Sequence, residues 1–152
     1  MDTRTEIRRA QPSDAVAMKG CVESAYQHYI SRMGKSPGPM LDDYAIVTQR
    51  HTAFVAQEED NVVGVLVLVR TVSAMLLDNV AVHPGHQGKG LGRRLMDLAE
   101  SEARDLGYGY LDLYTHECMN ENIEMYKALG YVETERRTEH GYNRVFMQKQ
   151  LL

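Results

Sequence analysis

The segment His83–Arg94 concentrates the residues best suited to bind a phosphorylated ligand. Its sequence, HPGHQGKGLGRR, carries four glycines within eight residues, together with Lys89, Arg93 and Arg94. Glycines let the backbone approach a ligand closely and present successive N–H groups to it. A helix beginning here adds unpaired N–H groups and the positive end of its dipole. The segment therefore predicts an anion site, most naturally for phosphate or pyrophosphate.

Two common nucleotide-binding motifs do not fit this spacing. A P-loop requires GxxxxGK followed by Ser or Thr, whereas Lys89 is followed by Gly90. A dinucleotide fingerprint requires GxGxxG after an early strand, whereas Gly88, Gly90 and Gly92 form GxGxG. The spacing therefore disfavours a nucleotide-dependent oxidoreductase.

Patterns that would bind a metal or form a disulfide are sparse. Cys21 and Cys118 lie far apart and form no CxxC pair, so we expect two reduced thiols. His83 and His86 flank the glycine-rich segment, but the sequence offers no third ligand nearby. No metal site is predicted.

Hydrophobic periodicity predicts the element order β-α-α-β-β-β-α-β-α-β-β. The predicted strands cover residues 5–10, 52–57, 62–69, 74–82, 110–115, 131–135 and 144–149, and the helices cover 13–32, 41–50, 91–106 and 122–129. This order indicates an α/β fold with a mixed sheet and helices on both faces. The glycine-rich segment then lies between a strand and the helix with the clearest period.

Within that setting, the spacing Gln87-x-x-Gly90-x-Gly92 resembles the Q/R-x-x-G-x-G/A pyrophosphate motif of the GNAT superfamily of N-acetyltransferases. The preceding strand and the following long helix are similar to the core motif of that family. The segment Asn122–Tyr131 is similar to the family's Asn…Tyr…Gly-Phe/Tyr segment.

The resemblance covers most of the chain, from about Ile7 to Met147. It implies a single domain over residues 1–152, with a mostly antiparallel central sheet of six to seven strands and helices on both faces. It also implies acetyl-coenzyme A as the cofactor.

Carried over to this chain, the resemblance assigns one set of residues to the cofactor. The backbone N–H of Val80, beside a bulge, polarises the thioester carbonyl, and Val82 lies along the pantetheine arm. Asn122 contacts the pantetheine or the pyrophosphate, or caps its helix. The pyrophosphate turn comprises Gln87, Gly88, Lys89, Gly90, Gly92 and Arg93.

The resemblance also implies the catalytic groups. Tyr126 occupies the general-acid position and protonates the departing thiolate. Asp78 aligns with a position where many members carry Glu, and it is the first candidate for the base. His116 is the alternative base, since an imidazole titrates near neutrality. A chain of water molecules that carries the proton away is the third alternative. Direct transfer in a ternary complex is expected, because Cys118 has no activating partner except His116.

The acceptor side is less defined. In the family, the loop between the first two helices overhangs the acceptor, and here that loop is irregular and rich in proline. Tyr29, Arg32 and His116 are predicted to bind the substrate, with Arg32 a candidate partner for a carboxylate. The expected acceptor is a primary amine of a small molecule. A peptide or protein amine and a non-catalytic acyl-coenzyme A sensor are the alternatives.

The composition of the chain limits the classes of protein to which it could belong. The 152 residues include 21 acidic and 17 basic side chains, for a net charge of −4. A nucleic-acid binder is not expected, because the chain has no overall basic excess. The apolar stretch Val62–Val69 is too short to span a membrane, and the charged N-terminus does not resemble a secretory signal. We expect a cytoplasmic protein, and a homodimer because family members often dimerise.

Overall fold

The computed structural model describes residues 5–151, so residues 1–4 and 152 lie outside the described range. Within that range seven strands form one sheet in the order β1-β2-β3-β4-β5-β7-β6. Only the neighbours β4 and β5 run parallel among these strands. The strands are β1 (Thr5–Arg9), β2 (Thr52–Glu58), β3 (Asn61–Arg70), β4 (Met75–Val82), β5 (Tyr110–His116), β6 (Val132–Glu139) and β7 (Tyr142–Gln150). The predicted mixed, mostly antiparallel sheet is confirmed.

Helices cover both faces of this sheet, as predicted. The helices are α1 (Ala15–Tyr26), α2 (Ile30–Met33), α3 (Tyr44–Arg50), α4 (Leu91–Asp105) and α5 (Asn120–Ala128). One buried cluster joins α4 and α5 to the sheet, and a second joins α1 and α3 to its other face. Strand β3 contributes to both clusters, because residues 65–68 are buried on alternating faces. Its apolar run therefore has the burial expected of a central strand.

Two predicted boundaries differ from the structure. The first helix does not run unbroken to residue 32, because a 3₁₀ turn (Gln27–Tyr29) separates α1 from α2. The second begins at Tyr44 rather than near residue 41. Its start is set by Asp43, whose Oδ1 accepts from the N–H groups of Ala45 and Ile46 at 3.0 and 3.4 Å.

The terminal hairpin is longer than predicted. Its two-residue turn, His140-Gly141, has φ values of 51° and 79°. Paired positive φ values match the right-handed twist of the flanking strands. Pairing therefore extends to Glu139 and Tyr142.

Strands β4 and β5 separate partway along their length. Their parallel pairing joins Met75–Leu77 to Leu111–Leu113 and then stops. Strand β4 continues to Val82 against β3, while β5 continues to His116 against β7. A V-shaped gap therefore opens between two strands in the middle of the sheet.

A β-bulge lies at the start of this gap. In β4, Leu77 pairs with Leu68 and Asn79 pairs with Val67, so Asp78 has no partner in β3. A bulge places two consecutive side chains on one side of the strand. It thereby breaks the alternation that the sequence pattern assumes.

None of the helices in residues 5–151 combines the length and the apolar character that a membrane crossing requires.

Candidate active site

The glycine-rich segment connects β4 to α4. Gly88 and Gly90 have φ values of 78° and 84°, a left-handed conformation that favours glycine. Gly90 is the N-cap of α4 and provides no side chain to cap it. Arg94 N donates to Gly90 O at 3.1 Å and closes the first turn. The N–H groups before Arg94 lack acceptors within the helix, so they are available to an anion.

The charged residues of this turn point in different directions. Lys89 is exposed. Arg93 Nε donates to Asp97 Oδ1 at 3.2 Å, an exposed pair that contributes little. Arg94 Nη2 donates to Thr5 O at 3.2 Å, toward β1 rather than the turn. The positive cluster expected from the sequence is therefore dispersed, and the backbone of the turn is the more concentrated anion site.

Two cavities flank the V-shaped gap. The turn cavity, of about 1010 Å³ with the space at its mouth, is lined by Val82, Gln87, Gly88 and Gly92 on the side of the turn. The loop cavity, of about 540 Å³ with its mouth, lies beneath residues 37–39. Four residues line both cavities, namely Tyr26, Val80, Asn122 and Tyr126. The cavities therefore meet at the gap.

Val80 presents its backbone to this junction. Tyr26 Oη, on α1, donates to Val80 O at 2.9 Å, so this carbonyl accepts from a group that is not part of the neighbouring strand β3. The N–H and C=O of one strand residue point to the same side, so the Val80 N–H also faces the gap. Gln87 Nε2 donates to Val82 O at 3.0 Å and ties the turn to the end of β4.

Tyr126 lies on the opposite wall of the junction. Burial raises the pKa of its hydroxyl, so the group stays protonated at neutral pH. Among residues 5–151, no group forms a hydrogen bond with this hydroxyl, although the residue is only 5% exposed. A protonated phenol without a partner at the junction is suited to donate a proton.

Asp78, at the bulge, lines the loop cavity. Tyr114 Oη donates to Asp78 Oδ1 at 3.0 Å. Burial first, and the Asp78 charge second, raise the pKa of Tyr114 and keep it a donor. Within the described part of the chain, no basic side chain lies within 4 Å of the Asp78 carboxylate. The cavity therefore holds a carboxylate without a cationic partner.

His116 also lines the loop cavity, but its hydrogen bonding restricts its chemistry. Cys118 N donates to His116 Nδ1 at 3.0 Å. Burial lowers the pKa of the imidazole, so the ring is neutral at pH 7. Because Nδ1 accepts, the neutral ring carries its proton on Nε2. In this tautomer His116 offers the cavity a donor rather than a base.

The loop above the cavity is fastened at several points. Tyr142 Oη donates to Ser36 O at 2.7 Å, and Tyr44 Oη donates to Pro39 O at 2.6 Å. Lys35 Nζ donates to Gly141 O at the tip of the hairpin. These contacts hold the loop between α2 and α3 over the cavity and attach it to β7.

Tyr29 and Arg32, the predicted acceptor residues on the first helix, are not brought to the loop cavity. Tyr29 lines the turn cavity instead. Arg32 forms a bidentate pair with Glu121 at 2.7 and 3.0 Å, because the 3₁₀ turn and α2 direct it toward α5. Cys118 lines neither cavity, and its Sγ lies 3.5 Å from Arg32 O.

Three residues that shape the loop cavity are not among the site residues predicted from the sequence. These are Tyr26 from α1, Tyr114 from β5 and Arg144 from β7. Tyr26 has the period of a core residue, and nothing local marks its hydroxyl as part of a site. Only the pairing of β5 with β7, which sets His116 opposite Arg144, brings Arg144 to the gap. In residues 5–151, no three His, Cys, Asp or Glu side chains are grouped to hold a metal ion.

Comparison with known families gives a match over most of the chain. Residues 21–131 match the Acetyltransferase (GNAT) family. The PaiA N-acetyltransferase of Thermoplasma acidophilum, solved with coenzyme A, has a similar fold, with a TM-score of 0.79 and 16% sequence identity. That similarity covers 99% of both chains.

Two curated relatives match over shorter segments. The L-amino acid N-acyltransferase MnaT of Escherichia coli (strain K12) is 35% identical over 79 residues, 48% of this chain and 46% of its own length. The streptothricin acetyltransferase of Streptomyces lavendulae is 37% identical over 57 residues, 38% of this chain and 30% of its own length. The chain thus spans less than half the length of either curated relative.

Proposed function

The chain belongs to the GNAT family of acetyltransferases, and we propose that it transfers the acetyl group of acetyl-coenzyme A to a primary amine of a small molecule. One observation carries this proposal: the two cavities meet at Val80 and Tyr126. A donor bound on one side of the gap and an acceptor bound on the other reach the same point.

The residues of the turn fit coenzyme A. The backbone from Gln87 to Arg93 and the start of α4 suit the pyrophosphate. The gap between β4 and β5 has the form of a slot for the pantetheine arm, with Val82 and Asn122 on its walls. In this placement the Val80 N–H points to the thioester carbonyl, where it stabilises the developing oxyanion.

The acceptor amine must lose a proton before it attacks. Its nitrogen then forms a bond with the thioester carbonyl carbon, and the carbon–sulfur bond breaks. Asp78 is the better supported base, because its carboxylate is a ready acceptor and faces the loop cavity. His116 is less suited, since Nδ1 is already occupied by the Cys118 N–H. Tyr126 supplies a proton to the departing thiolate and regains one that the attacking nitrogen releases as it becomes the amide.

A small acceptor is supported by the fastened loop. The contacts of Lys35 and Ser36 with the hairpin close the region above the loop cavity. A protein chain would need an open groove, whereas a small molecule fits beneath the loop. The name of one curated relative mentions an amino acid and that of another an antibiotic, both of which are small acceptors.

The test measures thiol release from acetyl-coenzyme A across a panel of small amines and peptides. We expect release with small amines and a mass increase of one acetyl group in the product. Release only with peptides would move the assignment to a protein amine. Tight coenzyme binding without release from any member of the panel would favour a sensor.

We also propose a homodimer. Strand β6 is one of the two outer strands of the sheet within residues 5–151 and is exposed from Val132 to Thr138, so it is open to a second copy. Light scattering at micromolar concentration tests this, and the mass of a monomer would refute it.

A further inference from the structure

We infer that the acceptor carries a carboxylate beside its amine, as a small α-amino acid with an apolar side chain does, and that Arg144 binds that carboxylate. This inference rests on the proposed function and names the substrate class of the same site. It gives a role to Arg144, which the sequence motifs do not include.

Arg144 is placed to bind an anion in the loop cavity. Its guanidinium lies 4.3 Å from the ring centre of Tyr114 and 5.8 Å from that of Tyr142, so two aromatic rings orient it. Nη1 donates to Glu139 Oε1 at 3.0 Å. A guanidinium has five N–H donors in a planar fork, so further donors remain for a bidentate carboxylate. The side chain is only 18% exposed, which reduces competition from water.

The negative charge of Asp78 lies at the hydroxyl end of Tyr114. The tyrosine ring stacks on Arg144, and its hydroxyl donates to Asp78. No ion pair within 4 Å joins Asp78 to Arg144 in the described residues. One tyrosine thus separates an anion from a cation that both line the cavity. An α-amino acid carries an ammonium and a carboxylate on one carbon, so its two charges complement this arrangement.

Part of the remaining wall favours an apolar side chain. Met33, Pro37, Leu77 and Met119 line the loop cavity and offer no charge to a substrate. Arg32, the carboxylate partner expected from the sequence, is held by Glu121 outside it. Arg144 is therefore the cation that the fold supplies to the acceptor.

The experiment compares thiol release with L-leucine and with L-leucinamide, in which an uncharged amide replaces the carboxylate. Because the amide also lowers the pKa of the amine, kcat/KM is expressed per unprotonated amine. For the unmodified protein we expect kcat/KM to be about 10–100-fold higher for L-leucine, the range for a hydrogen bond between charged groups. Arg144→Gln should bring this ratio close to one. Arg144→Lys keeps the charge without the planar fork and should retain part of the preference.

Arg137→Gln is the matched control. Arg137 also pairs with Glu139 and stacks on an aromatic ring, Phe146, but it does not line the loop cavity. It should keep the ratio of the unmodified protein, and circular dichroism checks that each variant is folded.

The outcomes separate the inference from the proposed function. Equal kcat/KM for L-leucine and L-leucinamide in the unmodified protein, with thiol released from both, overturns the inference and leaves the proposed function intact. A preference that survives Arg144→Gln overturns the role of this residue. No thiol release with any amine overturns both.

Discussion

The two sides of the gap are built in different ways. On the turn side, one continuous segment from Gln87 to Arg93 supplies backbone N–H groups at the start of a helix. On the loop side, Asp78, Tyr114 and Arg144 come from three strands and supply charged or polar side chains. In the proposed function, the backbone of the turn binds coenzyme A, whereas side chains select the acceptor. Changes on the loop side should therefore alter turnover, and changes on the turn side should alter coenzyme affinity.

The largest expected effect is on the loop side. Asp78→Asn removes the proposed base and should lower kcat/KM for the amine by about 10²–10³-fold. Coenzyme A affinity, measured by titration calorimetry, should stay within about twofold, because Asp78 lines only the loop cavity. The contrast between the loop side and the turn side would be wrong if Asp78→Asn weakened coenzyme A binding as strongly as it slowed transfer.

Asp112→Asn is the control for that change. Asp112 lies on β5, accepts from Gln148 Nε2 at 2.8 Å and lines neither cavity. It tests whether any strand carboxylate near the gap has the same effect. Its kcat/KM should match that of the unmodified protein.

Tyr126→Phe should have the next largest effect. It removes the proton donor at the junction, and kcat should fall by about 10–100-fold, a modest loss because a thiolate is a fairly stable leaving group. Coenzyme A affinity should change little. Tyr131→Phe is the control, since its ring lies 6.0 Å from that of Tyr126 while its hydroxyl contacts Glu100, away from both cavities. Loss of coenzyme A binding in Tyr126→Phe would contradict the role of proton donor.

A smaller effect is expected on the turn side. Gly90→Val places a branched side chain at φ 84° beside the pyrophosphate site and should weaken coenzyme A binding about tenfold. Gly107→Val imposes a similar strain, φ 86°, beyond the other end of α4. Both variants should lose about 1–3 kcal/mol of unfolding free energy. Equal losses of affinity in both would show that strain, rather than the site, is responsible.

The smallest effect is a pH dependence on the loop side. The pKa of His116 lies below its ordinary value of 6.5, because burial disfavours the charged ring. Between those two pKa values the unfolded chain binds more protons than the folded one, so the unfolding free energy falls as pH drops below about 6.5. His116→Gln should remove that component, as urea denaturation at pH 7.5 and 5.5 would show. An unchanged slope in the variant would contradict this pKa shift.

The same contrast explains what the sequence could predict. The turn was predictable because its glycines, its strand and its helix start lie within a short stretch of chain. Asp78 was found as a candidate through the family resemblance, and His116 because it directly follows the strand predicted over 110–115. Arg144 was not, because only long-range pairing sets it opposite His116. The bulge at Asp78 was expected from the resemblance, whereas strand periodicity alone would miss it.

Local sequence patterns also gave a wrong prediction for part of the acceptor side. The apolar period of the first helix continues past Tyr26, but the backbone tightens into a 3₁₀ turn at Gln27–Tyr29. That change directs Arg32 to Glu121 and away from the loop cavity. Helical periodicity does not distinguish a 3₁₀ turn from the α-helix around it. The side that selects the acceptor is therefore the harder side to predict.

The central claim is that both substrates are bound at once, on either side of the gap, when the acetyl group moves. Initial rates measured over a grid of acetyl-coenzyme A and amine concentrations test it most directly. We expect double-reciprocal lines that intersect, as direct transfer in a ternary complex requires. Parallel lines would indicate an acetylated enzyme intermediate and would contradict the account.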